Sequence, residues 1–190
     1  MTTGVLVVLA GTSGAGKGTI GRKLLDRYPD MRWSVSWTSR PARPDEVEGV
    51  DYHFVTRDDF ERLRDAGGFL EWFEVYGDLK GTPRDFVVDA IEAGHDVLLE
   101  LDVHGSLAVR EALPKALLVF VQTPSRDEQR RRLEERGHDD PAAMERRLAR
   151  AEAEEALAAE QFDAVIVNDD LGRAVDELAA IVEARRNGSR

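Results

Sequence analysis

The chain has 190 residues, 37 acidic against 26 basic, a formal net charge of −11 and 42% hydrophobic residues, with no cysteine. That length suits one α/β domain with a small insertion, and the hydrophobic share allows a real core. The acidic balance makes long duplex nucleic acid a poor partner, the missing cysteines exclude disulfides and thiolate chemistry, and no run approaches the ~20 apolar residues of a membrane span. Met1 to Gly4 lead straight into an apolar run, so no signal peptide and a cytoplasmic setting are expected. An acidic protein that binds an anion must gather its cations locally, so clusters of arginine carry information.

Val5–Ala10 is a short continuous apolar run, as in a strand buried on both faces of a parallel sheet. Gly11, Thr12, Ser13, Gly14, Ala15, Gly16, Lys17, Gly18 and Thr19 follow, then an expected helix from Ile20 to Tyr28. Strand, glycine loop, Lys and helix together form a phosphate cradle. Glycines let successive N–H groups curl around an anion, the helix adds its positive end, and Lys17 adds a mobile cation. The motif asks for a hydroxyl directly after the Lys to hold Mg²⁺. Gly18 stands there, and the hydroxyl comes one residue later as Thr19. Mg²⁺ is then expected to be held mostly through water and carboxylates.

Trp33–Thr38 alternates and predicts one strand, followed by a Pro-rich loop carrying Arg40 and Arg43. Tyr52–Val55 predicts a short strand, Asp58–Ala66 a helix starting near Thr56 or Asp58, and Phe69–Tyr76 another strand before the turn Gly77-Asp78. This span breaks the βα rhythm and reads as an inserted subdomain of about residues 33–83. Asp85–Ala93 predicts a helix closed by Gly94. Val97–Leu101, Leu117–Val121 and Ala164–Val167 predict further buried strands, with Glu100 and Asp102 at the end of the first. Ser125 reads as the N-cap of a helix Arg126–Arg136, and Gly137–Pro141 as a polar break. Ala142–Glu160 and Leu171–Ala184 read as helices, with Asn187–Arg190 frayed. The fold class expected is α/β, a parallel sheet flanked by helices, with a core of 1–32 and 84–190 and the glycine loop at the carboxyl end of the first strand. His53, His95, His104 and His138 are scattered without metal spacing, and no paired nucleophile is evident.

The segments GTSGAGK, SVSWTSRPARPDEVEGVDYHF, FLEW, GTP, LELD, RLEERG and VNDD, in this order, resemble the guanylate kinase family over nearly the whole chain. The resemblance implies a P-loop kinase that transfers the γ-phosphoryl of ATP to GMP or dGMP with Mg²⁺, without nucleic acid or membrane partners. It implies Ser36 and Glu71 at the guanine edge with Asp102 nearby, and Arg40, Arg43 and Tyr52 on the acceptor phosphate. It implies Arg132, Arg136 and Arg147 as donor-side arginines around a lid of about residues 132–147, and Asn168 near the adenine. Thr19, Glu100 and Asp102 are the expected metal-side groups, acting through water. Taken alone, alternation makes Glu71 a solvated strand residue, the arginines surface ion pairs, and Glu100 or Asp102 a helix-capping acid.

Two departures bear on the acceptor. Lys-Gly-Thr at 17–19 resembles the loop of adenylate kinases instead. Lys80 stands where guanylate kinases usually carry a phosphate-binding Tyr, while Thr82 keeps a hydroxyl that the family often has; Trp37 and Ser39 also differ from the usual residues. Lys80 can hold the same phosphate by charge, or mark dGMP or a modified nucleotide. A relative of the family phosphorylates ribose 1,5-bisphosphate, and scaffold proteins carry guanylate-kinase-like modules that bind phosphopeptides. Retention of Ser36, Arg40, Arg43, Tyr52 and Glu71 argues against the first, and Lys17 with the lid arginines against the second.

Overall fold

The computed structural model describes residues 3–188 except 45, 76 and 137–140. Its centre is a five-stranded parallel sheet in the order β2 (Arg32–Trp33), β7 (Val97–Glu100), β1 (Leu6–Gly11), β8 (Leu117–Gln122) and β9 (Ala164–Val167). β1 lies in the middle with every residue buried, which explains its unbroken apolar sequence. Alternate residues of β1 face opposite layers. Val7 and Leu9 pack with Ile20 and Leu24 of α1 (Lys17–Arg27) and Leu178 of α7 (Leu171–Gly188). Leu6 and Val8 pack with Val87 of α3 (Arg84–Glu92) and Val109 of α4 (Val103–Ala112). Two helical layers therefore clamp the strand that ends in the glycine loop. Among the described residues no helix is long and apolar enough to cross a membrane.

A second, four-stranded sheet runs β4 (His53–Phe54), β3 (Trp37–Thr38), β6 (Asp78–Pro83) and β5 (Phe69–Val75). Its own small core is Phe60 of α2 (Arg57–Asp65), Phe69 and Leu79, with Phe60 and Phe69 stacked at 4.3 Å between ring centroids. Thr56 caps α2 by accepting from the Asp59 N–H at 3.1 Å.

The strand expected over Trp33–Thr38 is two strands in two sheets. The Ser34 N–H still donates to Leu98 O in the large sheet, whereas the Ser36 carbonyl accepts from His53 N in the small one. Residues 34–36 are thus a crossing between sheets, although the sequence alternates through it unbroken. The sequence marks no strand for β6, which follows the Gly77-Asp78 turn, and no bounds for α4, whose sequence has little apolar periodicity. Gly81 is required inside β6 because a Cβ there would sit 2.9 Å from Glu71 O and from a Phe69 ring carbon. α7 continues to Gly188 rather than fraying from Asn187. The polar break expected over 137–141 falls mostly outside the described residues, as does Tyr76.

Ser125 caps α5 (Arg126–Arg136), accepting from Glu128 N at 3.2 Å, and α6 (Pro141–Gln161) follows. At the junction of β1 and the loop, a Cβ on Gly11 would lie 2.0 Å from the Val121 carbonyl oxygen of β8. Gly11→Ala should force these strands apart and lower unfolding stability by ~1–3 kcal/mol, read as a lower urea midpoint; an unchanged midpoint would refute this packing.

Candidate functional site

The glycine loop closes on itself through Ala15 N donating to Thr12 O at 3.1 Å. Gly14 and Gly16 have φ of 86° and 85°, a left-handed backbone that side chains resist, so glycine is needed at both. Gly16 is also the N-cap of α1, and no side chain caps that helix end. The first-turn N–H groups and the positive helix end are therefore available to an anion. Lys17 Nζ donates to Gly11 O at 2.9 Å and, at 3.5 Å, to Thr12 O, which stations the ammonium over the loop.

Three expected residues meet the loop from the carboxyl side of the chain. Arg147 Nη1 of α6 donates to Ser13 Oγ at 3.1 Å. Arg132 Nη2 donates to Asn168 O at 2.9 Å, and its Nε to Glu128 at 2.7 Å. Asn168 is buried, and its Nδ2 donates to Ala15 O at 2.7 Å. A cavity of about 380 Å³ opens beside them, lined by Gly14, Gly16, Thr19, Arg132, Asn168 and Leu171. Arg130 pairs with Glu145, and Arg131 with Glu128 and Glu135, as a charged helix surface would. The guanidinium groups of Arg131 and Arg132 together hold the Glu128 carboxyl at about 2. The Arg136 side chain lies outside the described residues.

At the end of β7, Glu100 Oε2 lies 3.1 Å from where a Cβ of Gly18 would be. A side chain at 18 would press this carboxylate back by a few tenths of an ångström. Asp102 instead caps α4, its Oδ1 accepting from Gly105 N at 2.7 Å, the role that an acid at a helix start takes by default. Among the described residues no three Asp, Glu, His or Cys converge as a metal nest. The donors present are hard oxygens in small number, which fits Mg²⁺ held largely by water and ligand phosphates rather than by a protein cage.

The small sheet carries the rest. Glu71 is only 6% exposed, and Thr82 Oγ1 donates to its Oε1 at 2.5 Å. A Cβ at Gly105 would sit 3.3 Å from Asp102 Oδ1 and 3.6 Å from Glu71 Oε2, so both carboxyls converge on that glycine. Burial pushes the Glu71 carboxyl up to about 7; the Thr82 hydroxyl opposes this and the Asp102 charge adds to it. Nearby, Lys80 Nζ donates to Tyr52 Oη at 2.9 Å, and the Arg40 guanidinium lies 5.1 Å from the Tyr52 ring centroid. Arg40 is gripped by Glu46 through a two-bond fork of 2.6 and 2.5 Å, which holds the Glu46 carboxyl at about 2. Arg43 is exposed, with its backbone N–H bonded to Glu46 at 2.9 Å. Ser36 is half-buried, beside β3.

The expected residues thus fall into two groups with a carboxyl pair: Lys17, Arg132, Arg147 and Asn168 at the loop; Arg40, Tyr52 and Lys80 on the small sheet; Glu71, Thr82 and Asp102 together. Three residues outside the sequence expectations join them. Glu46 organises both loop arginines. Burial raises the pKa of Glu154 on α6, and the Lys17 charge is the first to oppose it, with Asp102, Arg150 and His104 also acting on it. The spacing Arg147, Arg150, Glu154 places all three on one helical face and was the available signal. Gln129 of α5 is fully buried and donates to Ser13 O.

A family profile described as Guanylate kinase matches residues 3–185. A guanylate kinase of Symbiobacterium thermophilum is 50% identical over 185 residues, covering 96% of this chain and 86% of its own length. One from Thermus thermophilus is 48% identical over 186 residues, covering 98% and 84%. The crystal structure of guanylate kinase from Anaplasma phagocytophilum superposes with a TM-score of 0.78 at 33% identity, covering 98% of this chain and 88% of that one.

The raised Glu71 carboxyl has a consequence for the unliganded protein. Its folded pKa of about 7 lies above the unfolded value, so the native state binds the proton more tightly. Stability should therefore fall as pH rises from ~4.5 to ~7 and level off above, by about 3 kcal/mol from this group. The difference between wild type and Glu71→Gln in urea unfolding across that window isolates it; parallel pH curves would refute the assignment.

Proposed function

Because the chain belongs to the guanylate kinase family and transfers the γ-phosphoryl of ATP to GMP, we propose that the glycine loop holds the donor phosphates and the small sheet holds GMP. The division proposed is a core of 1–32 and 84–190, an acceptor subdomain of about 33–83, and a lid of about 132–147.

The observation that carries the acceptor reading is Glu71, a buried carboxyl with no cation beside it among its described partners. Guanine offers N1–H and N2–H₂ as adjacent donors, and a carboxylate accepts both side by side. Adenine offers no such pair, so it would leave the buried group unpaired. GMP binding would then expel the proton from Glu71. Thr82 fixes one oxygen and Asp102 stands beside it; Ser36 would complete the guanine edge. Arg40, Arg43, Tyr52 and Lys80 take the acceptor phosphate; Lys80 replaces a hydroxyl contact by charge, and its bond to Tyr52 is consistent with both facing one anion.

On the donor side, N–H groups of residues 11–19 surround the β- and γ-phosphates, and Lys17 exchanges its carbonyl partners for phosphate oxygens. The cavity beside Asn168 and Arg132 receives the donor's nucleoside end. Arg147 and Arg132, with Arg136, meet the charge that develops on the transferred group; an arginine so placed is worth ~10³–10⁵ in rate. Mg²⁺ supplies charge neutralisation on the β- and γ-oxygens when bound, and Glu100, Thr19 and Asp102 are the side chains that would hold its waters. No covalent intermediate is required: alignment and charge neutralisation carry the step, and closure of subdomain and lid excludes water. No observation favours a ribose bisphosphate acceptor or a phosphopeptide-binding module.

In a coupled assay, ADP release from ATP should require GMP and not occur with AMP. Glu71→Gln should lower kcat/KM for GMP by ~10²–10⁴, the worth of two bonds to a charged acceptor; near-wild-type GMP kinetics in that variant would overturn the acceptor assignment. Lys17→Ala should abolish turnover while calorimetric GMP affinity stays within about twofold, the ammonium acting only on the donor. Retained turnover would remove the donor assignment.

A further inference from the structure

α5 buries little. Of its described side chains only Gln129 and Leu133, one helical turn apart, are inside, and Gln129 is fully so. A leucine at 129 would continue the apolar stripe; a buried amide is costly unless its donors and acceptor are used. Here both ends are used. Gln129 Nε2 donates to the Ser13 carbonyl at 2.9 Å, and its Oε1 accepts from Arg126 Nη1 at 3.0 Å. Arg126 is in turn held by both oxygens of Glu155 on α6, at 2.9 and 2.6 Å. The chain Glu155, Arg126, Gln129, Ser13 runs from the lid-bearing helix to the glycine loop.

The described peptides are all trans. In a planar trans peptide the C=O of one residue and the N–H of the next point in opposite directions. Holding Ser13 O against α5 therefore aims the Gly14 N–H away from α5. Asn168 does the same one step on, holding Ala15 O and so aiming the Gly16 N–H. Gly14 and Gly16 are the positions with the least steric resistance to a peptide flip, which is where an external hold has most effect.

We infer that Gln129 is a positioning residue for the donor: it fixes the Ser13–Gly14 peptide with its N–H turned into the phosphate cradle, and through Arg126 and Glu155 it ties that orientation to the helix that carries Arg147. This rests on the reading that the loop holds the phosphates of ATP. Without the amide, the peptide samples both orientations, and the one with the carbonyl inward repels phosphate. The orientation of Asn168 is unaffected, so the loss falls on one N–H and not on the whole cradle.

The test is calorimetric binding of a non-hydrolysable ATP analogue, without GMP, alongside steady-state kinetics on both substrates. Gln129→Leu keeps the packing and removes the donor. It should weaken the analogue about tenfold and raise KM for ATP similarly, with KM for GMP within twofold. Gln129→Glu sets an acceptor against the Ser13 carbonyl and should weaken the analogue at least as much as Gln129→Leu. Unchanged analogue affinity in Gln129→Leu, equal losses for ATP and GMP, or wild-type analogue affinity in Gln129→Glu would each overturn the inference. Lys17→Ala separates the two readings: if it binds the analogue normally, the donor loop itself is misassigned; if it loses affinity while Gln129→Leu does not, only the role of Gln129 fails.

Discussion

Two polyanions must be drawn together by a molecule whose own formal charge is −11. Two unit charges of like sign 4 Å apart repel by about 4 kcal/mol at the effective dielectric of a protein surface, and each phosphate group carries more than one. In the proposed arrangement this is met by cations that already have internal partners. Lys17 rests on the loop carbonyls, Arg40 on Glu46, Arg132 on Glu128 and Asn168 O, and Lys80 on Tyr52. A held cation has already lost its rotamer freedom, so a phosphate that takes it over finds it oriented. The cost is that each internal partner must be outcompeted or shared, which a group with two or three oxygens and greater charge can do where a neutral ligand cannot. The same pairs thus favour anions over other ligands.

Glu71 inverts this arrangement. The cationic sites hold their charges on carboxylates, carbonyls or a phenol oxygen, whereas this carboxyl is buried against Thr82 with another acid near, and burial pushes it up to about 7. Placing it there is unfavourable for folding as soon as it ionises. In the proposed arrangement that unfavourable burial is relieved by a ligand with two adjacent N–H donors and by little else. Discrimination between purines then follows from what is left unpaired rather than from what is gained, which is why one carboxyl in a dry place can separate ligands of nearly the same shape.

Much of this was legible in order along the chain. β1, the glycine loop and the buried strands β7, β8 and β9 announce themselves because a strand covered on both faces has to be apolar throughout. Arg40, Tyr52 and Lys80 stand far apart in sequence, and it was the resemblance, not spacing, that grouped them; the Arg40–Tyr52 stacking and the Lys80–Tyr52 bond then bring them into one place. The crossing at 34–36 was invisible, because a chain that leaves one sheet for another keeps its extended backbone and its alternation. Asp102 shows the opposite difficulty: an acid at the end of a strand serves as a helix cap, as the bond from Gly105 N shows, and is at the same time a metal-side candidate.

Gln129 and Gly18 show why a residue's type says little until its neighbours are known. A glutamine on a helix rich in Glu and Arg reads as one more solvated side chain; its burial appears only when α5 is laid against the loop. Gly18, where the motif asks for a hydroxyl, reads as a loss. Yet Glu100 Oε2 lies close to the position of the missing Cβ, so a side chain at 18 would press the carboxylate back by a few tenths of an ångström. The glycine and the carboxylate are one feature. A hydroxyl at 18 would offer a neutral oxygen to a bound Mg²⁺ directly, whereas in the proposed arrangement the Glu100 carboxylate would act on the waters of that ion. A change at 18 that ignored Glu100 would therefore alter packing and electrostatics at once, and its effect could not be read as the return of the hydroxyl alone.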